Sequence, residues 1–169
     1  GHIAAWAGLA GGATVTLVPE EPFDIEEVCE RVRRRHDRGR YASIVVVAEG
    51  AVPAAGTIEL PEPELDRFGH VRLGGIGNRI AAEIGARTDF ETRVTILGHV
   101  QRGGTPTAFD RVLATRLGVA AADAVAAGDF GTMSALRGGD IVQIPLEEAV
   151  DHLKTLNDDL WETARVFFA

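Results

Sequence analysis

Residues Tyr41–Ala48 read YASIVVVA, and this apolar run decides the fold class. A short run rich in β-branched residues, closed by Glu49 and a glycine, is typical of a strand that is buried on both faces. Two further runs, Ala13–Val18 and Thr92–Leu97, have the same character, and helical patterns separate the three. Strands that alternate with helices predict an α/β fold, with a mostly parallel sheet and helices on both faces.

Helical patterns lie between and after these strands. Ile3–Leu9 is predicted to be a helix that ends at Gly11 and Gly12, and Asp24 opens a second helix whose Glu27 completes a capping-box pattern. Further elements are expected in the rest of the chain. They are a long loop over Val52–His70, a helix over Arg72–Arg87, and a helix that has Pro106 in its first turn, is broken at Gly118 and continues to about Ala127. After these come strands over Thr132–Leu136 and Asp140–Ile144, a helix over Leu146–Leu153, and an apolar tail, Leu160–Phe168, that docks on the body.

The composition argues against several classes of protein. The 169 residues carry a net charge of −8, which is unlike a general nucleic-acid binder. No apolar run reaches the roughly 18 residues that a membrane span needs. Cys29 is the single cysteine, so no internal disulfide can form and a reducing cytoplasm fits best. Gly1–Ala10 has neither an initiating Met nor an N-capping residue, so we expect the natural sequence to continue upstream.

Polar side chains follow two of the predicted strands, and ligands bind beyond the carboxyl ends of strands in open parallel sheets. Glu49 follows the strand over Tyr41–Ala48. Its carboxylate could accept hydroxyl groups of a ligand or act as a base, and the alternative is a solvated loop acid. The sequence alone leaves both readings of Glu49 open.

The stretch Gly98–Gly104, GHVQRGG, places His, Gln, Arg and three glycines directly after a predicted strand. Arg102, and Arg93 at the leading end of that strand, carry guanidinium forks that match phosphate, although a surface ion pair is the usual role of an arginine. His99 could bind a hydroxyl or phosphate group, or pack under a loop. No second metal ligand stands near it at ligand spacing, so a metal site is not predicted.

Two other patterns are only weak evidence for a binding site. Gly75-Ile76-Gly77 resembles the start of a dinucleotide-binding fingerprint, but Ile80 stands where the third glycine would be, so a helix start is predicted instead. The basic run Arg33–Arg40 is typical of a solvated face. The sequence contains no Walker motif and no kinase glycine-rich loop.

Four motifs in order resemble the bacterial-type 6-phosphofructokinase family, and the long loop over 52–70 with the stretch Gly69–Gly77, GHVRLGGIG, resembles its actinobacterial branch. The four motifs are AGLAGGA with PEEPF (Ala7–Ala13 and Pro19–Phe23), VAEGA (Val47–Ala51), ETRVTIL (Glu91–Leu97) and GHVQRGGTPTAFDR (Gly98–Arg111). The resemblance covers almost the whole chain. It implies a phosphofructokinase-like three-layer sandwich of two similar α/β domains, here truncated, with the active site between them.

The resemblance also implies roles for single residues. Glu49 would contact the sugar hydroxyls of fructose 6-phosphate, and His99 and Arg102 would hold its 6-phosphate. Arg93 would reach the phosphate bound by a neighbouring subunit, which implies a homo-oligomer, and bacterial members of the family are typically tetramers. The activity implied is phosphorylation of fructose 6-phosphate to fructose 1,6-bisphosphate in glycolysis, in the cytoplasm.

Other parts of the family pattern are absent. The Gly-Gly-Asp-Gly donor loop and the Thr-x-Asp-x-Asp segment that supplies the catalytic base and the Mg²⁺ ligands have no counterpart here. The resemblance therefore implies that Mg²⁺ is bound mainly by a donor domain outside these residues, that no catalytic residue lies within them, and that they do not turn over substrate alone. In this division, 1–104 is a sugar-phosphate-binding domain, 105–136 packs with the donor domain, and 137–169 is a C-terminal strand, helix and tail.

Arg38 and Arg40 fall where allosteric members of the family place basic residues for an effector phosphate. Thr14 stands where those members carry a metal-binding Glu, so an effector site is only weakly predicted.

Family members that use ATP and those that use pyrophosphate differ at the donor loop. These residues do not contain that loop, so the identity of the phosphoryl donor stays open. A pyrophosphate-dependent phosphofructokinase and an isolated, non-catalytic sugar-phosphate-binding module are the alternative readings. Neither predicts nucleic acid or a membrane as a partner.

Overall fold

The computed structural model describes residues 1–58 and 75–168, which form two compact units. The first unit combines Gly1–Ile96 with Thr155–Ala169, and the second is Leu97–Lys154. The elements in chain order are α1 (His2–Gly11), β1 (Val15–Leu17), α2 (Ile25–Asp37), β2 (Val45–Val47), α3 (Ile76–Thr88), a 3-10 helix (Gly98–Arg102), α4 (Ala108–Ala127), β3 (Thr132–Arg137), β4 (Asp140–Pro145), α5 (Leu146–Val150) and α6 (Asp158–Arg165).

Two parallel strands form the centre of the first unit. β1 pairs with β2 in the register Val15 to Val45 and Leu17 to Val47. Successive side chains of a strand point to opposite faces, and each face of β1 has its own apolar core. Val15 and Leu17 pack with residues of α2 and α3, whereas Val18 packs with α1 and with Leu156. This parallel pair with helices on both faces confirms the predicted α/β class.

α1 lies very close to β1. Gly12 ends the helix in the left-handed conformation, with φ 66°, as the sequence predicts. Gly8 faces Thr16, and a Cβ built on Gly8 would overlap the Thr16 hydroxyl and lie 3.2 Å from Thr16 Cβ. The side chains of Thr14 and Thr16 are buried, and their hydroxyls have no hydrogen-bond partner among the described residues. The contact thus requires a residue without a side chain at position 8.

α2 and α3 pack side by side beneath the sheet. Asp24 caps α2 by accepting from the Glu26 N–H at 2.8 Å, as predicted. The predicted reciprocal contact of Glu27 is not made, because its carboxylate accepts instead from Arg31, one helical turn on, at 2.6 Å. Cys29 is fully buried in this interface, and burial raises the pKa of its thiol.

The C-terminal tail docks on the first unit, which confirms that prediction. Asn157 caps α6 by accepting from the Asp159 N–H at 2.8 Å. The indole N–H of Trp161 donates to Glu21 at 2.5 Å, and Arg31 donates to the Phe168 carbonyl at 3.0 Å. The bonds of Trp161 and Arg31 join residues more than 130 positions apart in the chain.

The second unit consists of α4 with the β3–β4 hairpin and α5. β3 and β4 are antiparallel from Thr132 opposite Pro145 to Arg137 opposite Asp140, close to the two predicted strands. The predicted break at Gly118 is wrong, since α4 runs through it without interruption. A glycine reduces the stability of a helix by only about 1 kcal/mol relative to alanine. The high helix propensity of the surrounding alanines can offset this loss.

Two helix boundaries also differ from the prediction. Thr107 is the N-cap of α4, so Pro106 precedes the helix and does not lie in its first turn. α5 ends at Val150 and does not reach Leu153. The predicted start of α3 at Arg72 and most of the predicted loop over Val52–His70 lie outside the described residues. Within them, α3 follows Gly75, which has φ 89° and serves as its N-cap.

The predicted strand over Thr92–Leu97 is wrong. None of these residues joins a β-ladder with the described part of the chain, and Ile96 is 64% exposed. The start of the segment contacts a helix, because the Thr92 hydroxyl donates to the Ala81 carbonyl of α3 at 3.2 Å. The strand predicted over Tyr41–Ala48 is shortened to Val45–Val47, which is half-buried and not buried on both faces. Apolar runs report strand propensity, but a strand forms only where a partner edge is available.

Candidate functional site

His99 and Arg102 lie on the same face of the 3-10 helix Gly98–Arg102. Side chains three positions apart are eclipsed in a 3-10 helix, so the side chains of His99 and Arg102 leave the helix on the same face. Both side chains are exposed, and neither makes a hydrogen bond or ion pair with another described residue. The helix therefore presents up to five guanidinium donors and one imidazole to a ligand in solvent.

A glycine loop follows this helix. The Gly103 N–H donates to the Val100 carbonyl at 2.9 Å, which closes the 3-10 helix. Gly104 has φ 111°, a backbone conformation that L residues with a side chain rarely adopt. The loop thus depends on glycine at position 104 for its path, and it brings bare backbone next to Arg102.

A capping box that the sequence analysis missed closes the loop. Thr107 N and Thr107 Oγ1 both donate to Asp110 Oδ2, at 2.8 and 2.7 Å, and Asp110 N donates to Thr107 Oγ1 at 3.3 Å. Hydrogen bonds from the hydroxyl and the N–H of Thr107 lower the pKa of Asp110. The signal was present as Thr-x-x-Asp, a variant of the capping-box pattern, but Pro106 was taken as part of the first turn, whereas the helix begins at Ala108.

Glu49 lies in a tight turn directly after β2. The Ala51 N–H donates to the Ala48 carbonyl at 2.9 Å, and this bond closes the turn around Glu49 and Gly50. The Glu49 side chain is exposed and makes no hydrogen bond or ion pair with another described residue. Its position beyond a parallel strand agrees with the predicted strand-end location.

Arg93 lies in the extended segment after α3 and not at the start of a strand. Its side chain is 87% exposed, and its guanidinium donates twice to Glu91 Oε1, from Nε at 3.1 Å and from a terminal nitrogen at 2.9 Å. Arg93 belongs to the first unit, and His99 and Arg102 belong to the second. Of the four predicted substrate ligands, only the last two share one element.

Arg38 and Arg40 flank a turn at the end of α2. Gly39 takes φ 77° there, and its N–H donates to the His36 carbonyl at 2.8 Å. His36 stacks on Phe90, with the ring centres 4.5 Å apart, and meets Tyr41 edge-on at 4.9 Å. Aromatic contacts of His36 with Phe90 and Tyr41 therefore stabilise the turn, while both predicted effector arginines are exposed.

The described residues contain no group of three or more His, Cys, Asp or Glu side chains that could hold a metal ion. None of the described helices is long and apolar enough to cross a membrane. The exposed arginine, histidine and carboxylate side chains at strand ends and loops can bind hydroxyl and anionic groups.

Comparison with known proteins places this arrangement in context. The family model described as Phosphofructokinase matches residues 1–125. The pyrophosphate–fructose 6-phosphate 1-phosphotransferase of Amycolatopsis methanolica is 60% identical over 168 residues, which are 99% of this chain and 49% of that protein. The ATP-dependent 6-phosphofructokinase of Mycobacterium tuberculosis H37Rv is 56% identical over 168 residues, again 99% and 49%.

Among solved structures, the T-state crystal structure of Pichia pastoris phosphofructokinase matches with a TM-score of 0.66 and 28% identity. The match covers 99% of this chain and 16% of that one. The resemblance to the actinobacterial branch and the α/β fold of this family are confirmed. The chain spans about half the length of the curated relatives it matches.

Proposed function

This chain belongs to the phosphofructokinase family, and we propose that it forms the sugar-phosphate half of an enzyme that phosphorylates the 1-hydroxyl of fructose 6-phosphate, a step of glycolysis. One observation supports this most. The 3-10 helix presents His99 and Arg102 on one face, exposed and without a described partner, directly before a glycine loop. A planar guanidinium beside bare backbone is suited to the 6-phosphate of the sugar.

The proposed contribution of this chain is positioning. Phosphoryl transfer depends mainly on the alignment of donor and acceptor and on stabilisation of charge. Arg102 and His99 would hold the phosphate end of the sugar, and Glu49 would accept from its hydroxyls. Arg93 would bind the 6-phosphate held by a neighbouring subunit of a homo-oligomer, which we propose is a tetramer. To do so it must exchange its ion pair with Glu91 for the phosphate.

Other proposals complete the enzyme. The donor site, the catalytic base and the Mg²⁺ ligands would lie in a donor domain outside these residues, and the enzyme would work in the cytoplasm. The division into a sugar-phosphate domain (1–104), a donor-facing segment (105–136) and a C-terminal part (137–169) stays a prediction. Arg38 and Arg40 would bind an effector phosphate without a metal-binding carboxylate, because Thr14 stands where that carboxylate is expected.

The donor is proposed to be ATP or pyrophosphate, since relatives of both kinds match the same part of this chain at similar identity. The test is an assay of the enzyme that contains this chain, with fructose 6-phosphate, Mg²⁺ and each donor in turn, coupled to detection of fructose 1,6-bisphosphate. We expect turnover with one of the two donors. If neither donor yields the bisphosphate while other sugar phosphates are phosphorylated, the assignment of substrate is wrong.

A second function follows for the 169 residues by themselves, because they carry the proposed sugar ligands and none of the proposed catalytic residues. They would bind fructose 6-phosphate without turning it over. Calorimetric titration of the folded chain, with circular dichroism as the check of folding, measures this directly. Measurable kinase activity of these residues alone would contradict it.

We expect Gly104→Ala to weaken binding of fructose 6-phosphate without unfolding the protein. A built Cβ meets nothing within 4 Å at Gly104, so the cost is backbone strain at φ 111°. Such strain costs about 1–2 kcal/mol, which corresponds to a roughly 5- to 30-fold loss of affinity. Gly103→Ala is the matched control, because Gly103 has φ −84° and its Cβ would approach only the Val100 carbonyl, at 3.2 Å. Equal effects of the two changes would rule out the strain argument.

A further inference from the structure

The loop that carries Arg102 has little packing of its own. No residue of the 3-10 helix Gly98–Arg102 is buried, and Val100 at its centre is 77% exposed. Apolar contacts therefore cannot fix the direction in which His99 and Arg102 point. Two of the four residues that follow Arg102 are glycines, which allow a wide range of backbone conformations.

After Gly103, the next residues that described hydrogen bonds hold are Pro106 and Thr107. The Thr107 N–H and hydroxyl are both bound by Asp110 Oδ2, and the Thr107 hydroxyl accepts from the Asp110 N–H in return. Arg111 Nε donates to the Pro106 carbonyl at 3.3 Å. Side chains from the first turn of α4 thus hold two consecutive backbone groups at the end of the glycine loop.

We infer that Thr107, Asp110 and Arg111 are positioning residues for the 6-phosphate site, because they anchor the loop that aims Arg102. The inference rests on the proposed function. The other end of the loop is closed by the bond from Gly103 N to the Val100 carbonyl, so the glycine loop spans two fixed points. Releasing the anchor at Thr107 lets the loop sample more conformations, and the phosphate site is then correctly formed for a smaller fraction of the time.

Steady-state kinetics of the enzyme that contains this chain tests the inference. Thr107→Ala and Asp110→Ala are expected to raise the KM for fructose 6-phosphate about fivefold, the size of a typical lost cap, and to leave the KM for the phosphoryl donor unchanged. Thr107→Ser keeps the hydroxyl that gives and accepts the capping bonds, and it is expected to retain the original KM. Arg111→Ala is expected to have a smaller effect in the same direction.

A matched control separates positioning from helix stability. Ala122 is an exposed residue in the same helix, far from the loop, and Ala122→Gly lowers the helix propensity of α4 by an amount comparable to the loss of a cap. It is expected to lower the melting temperature as Thr107→Ala does, and to leave the KM for fructose 6-phosphate unchanged. An equal rise in the sugar KM with Ala122→Gly would overturn the inference, as would an unchanged KM with Thr107→Ala.

Arg102→Ala distinguishes this inference from the proposed function. If Arg102→Ala weakens the use of fructose 6-phosphate and Thr107→Ala does not, the positioning role is wrong and the phosphate site stands. If Arg102→Ala has no effect either, the phosphate site itself is wrong, and the positioning role fails with it.

Discussion

Replacing Arg102 by alanine is expected to lower kcat/KM for fructose 6-phosphate by roughly 30- to 900-fold, from the loss of about 2–4 kcal/mol of charge-assisted contact. The structure attributes such a loss to the ligand, because the Arg102 guanidinium makes no hydrogen bond or ion pair with another described residue. Its removal therefore breaks no described internal bond, and its donors are available to the phosphate. The loss should appear for the sugar phosphate, while the KM for the donor stays near its original value.

Two variants sharpen this measurement. Arg102→Lys keeps the charge but not the planar fork, so it should fall between the original protein and Arg102→Ala. Arg137→Ala removes the same charge from an exposed position at the end of β3, also in the second unit. If Arg137→Ala reduced kcat/KM as strongly, the effect would be one of overall charge, and the assigned contact between Arg102 and the 6-phosphate would be wrong.

Gly8→Ala is expected to reduce the free energy of unfolding by about 3 kcal/mol, a value typical of severe overpacking. The added methyl group would occupy the space of the Thr16 hydroxyl and would lie 3.2 Å from both Thr16 Cβ and Thr16 Cγ2. Thr16 is held in the sheet and is almost completely buried, so neither partner can move freely. α1 must shift away from β1, and thermal or urea unfolding measures the loss.

Gly11→Ala is the matched control for this change. Gly11 lies in the same helix, and a Cβ built there meets nothing within 4 Å. Alanine favours helix over glycine, so Gly11→Ala should be neutral or stabilise the protein by up to about 1 kcal/mol. The double variant Gly8→Ala with Thr16→Ala should recover part of the loss, because it removes the overlapping hydroxyl. A Gly8→Ala protein as stable as the original would show that α1 is not held against Thr16.

The sequence predicted the first unit well where local patterns and burial agree. The Gly12 stop of α1, the Asp24 cap of α2 and a parallel sheet were predicted from local patterns, whereas the pairing of β1 with β2 itself was not. The docking of the tail was predicted from its apolar character. Its polar anchors were not, because nothing in the sequence indicates that Trp161 will meet Glu21, 140 positions away.

The errors have a different origin. Thr92–Leu97 has the composition of a strand, but composition does not specify a partner, and the Thr92 hydroxyl bonds to α3 instead. Gly118 was expected to break α4, yet one glycine costs less than the surrounding helix gains. For the candidate site, the sequence pointed to His99 and Arg102 as candidate ligands. Their shared face follows from the 3-10 geometry, which no periodicity in the sequence indicated.

The order of the chain through the two units bears on how the protein is made. The first unit contains Gly1–Ile96 but is completed by Thr155–Ala169, after the whole of the second unit. On the ribosome, β1, β2 and the helices around them emerge before the second unit, whereas Leu156 and Trp161, which cover the core beside α1, emerge after it. Until these two residues have been made, that core has an open side, so the nascent chain offers chaperones a binding surface that is closed in the folded unit.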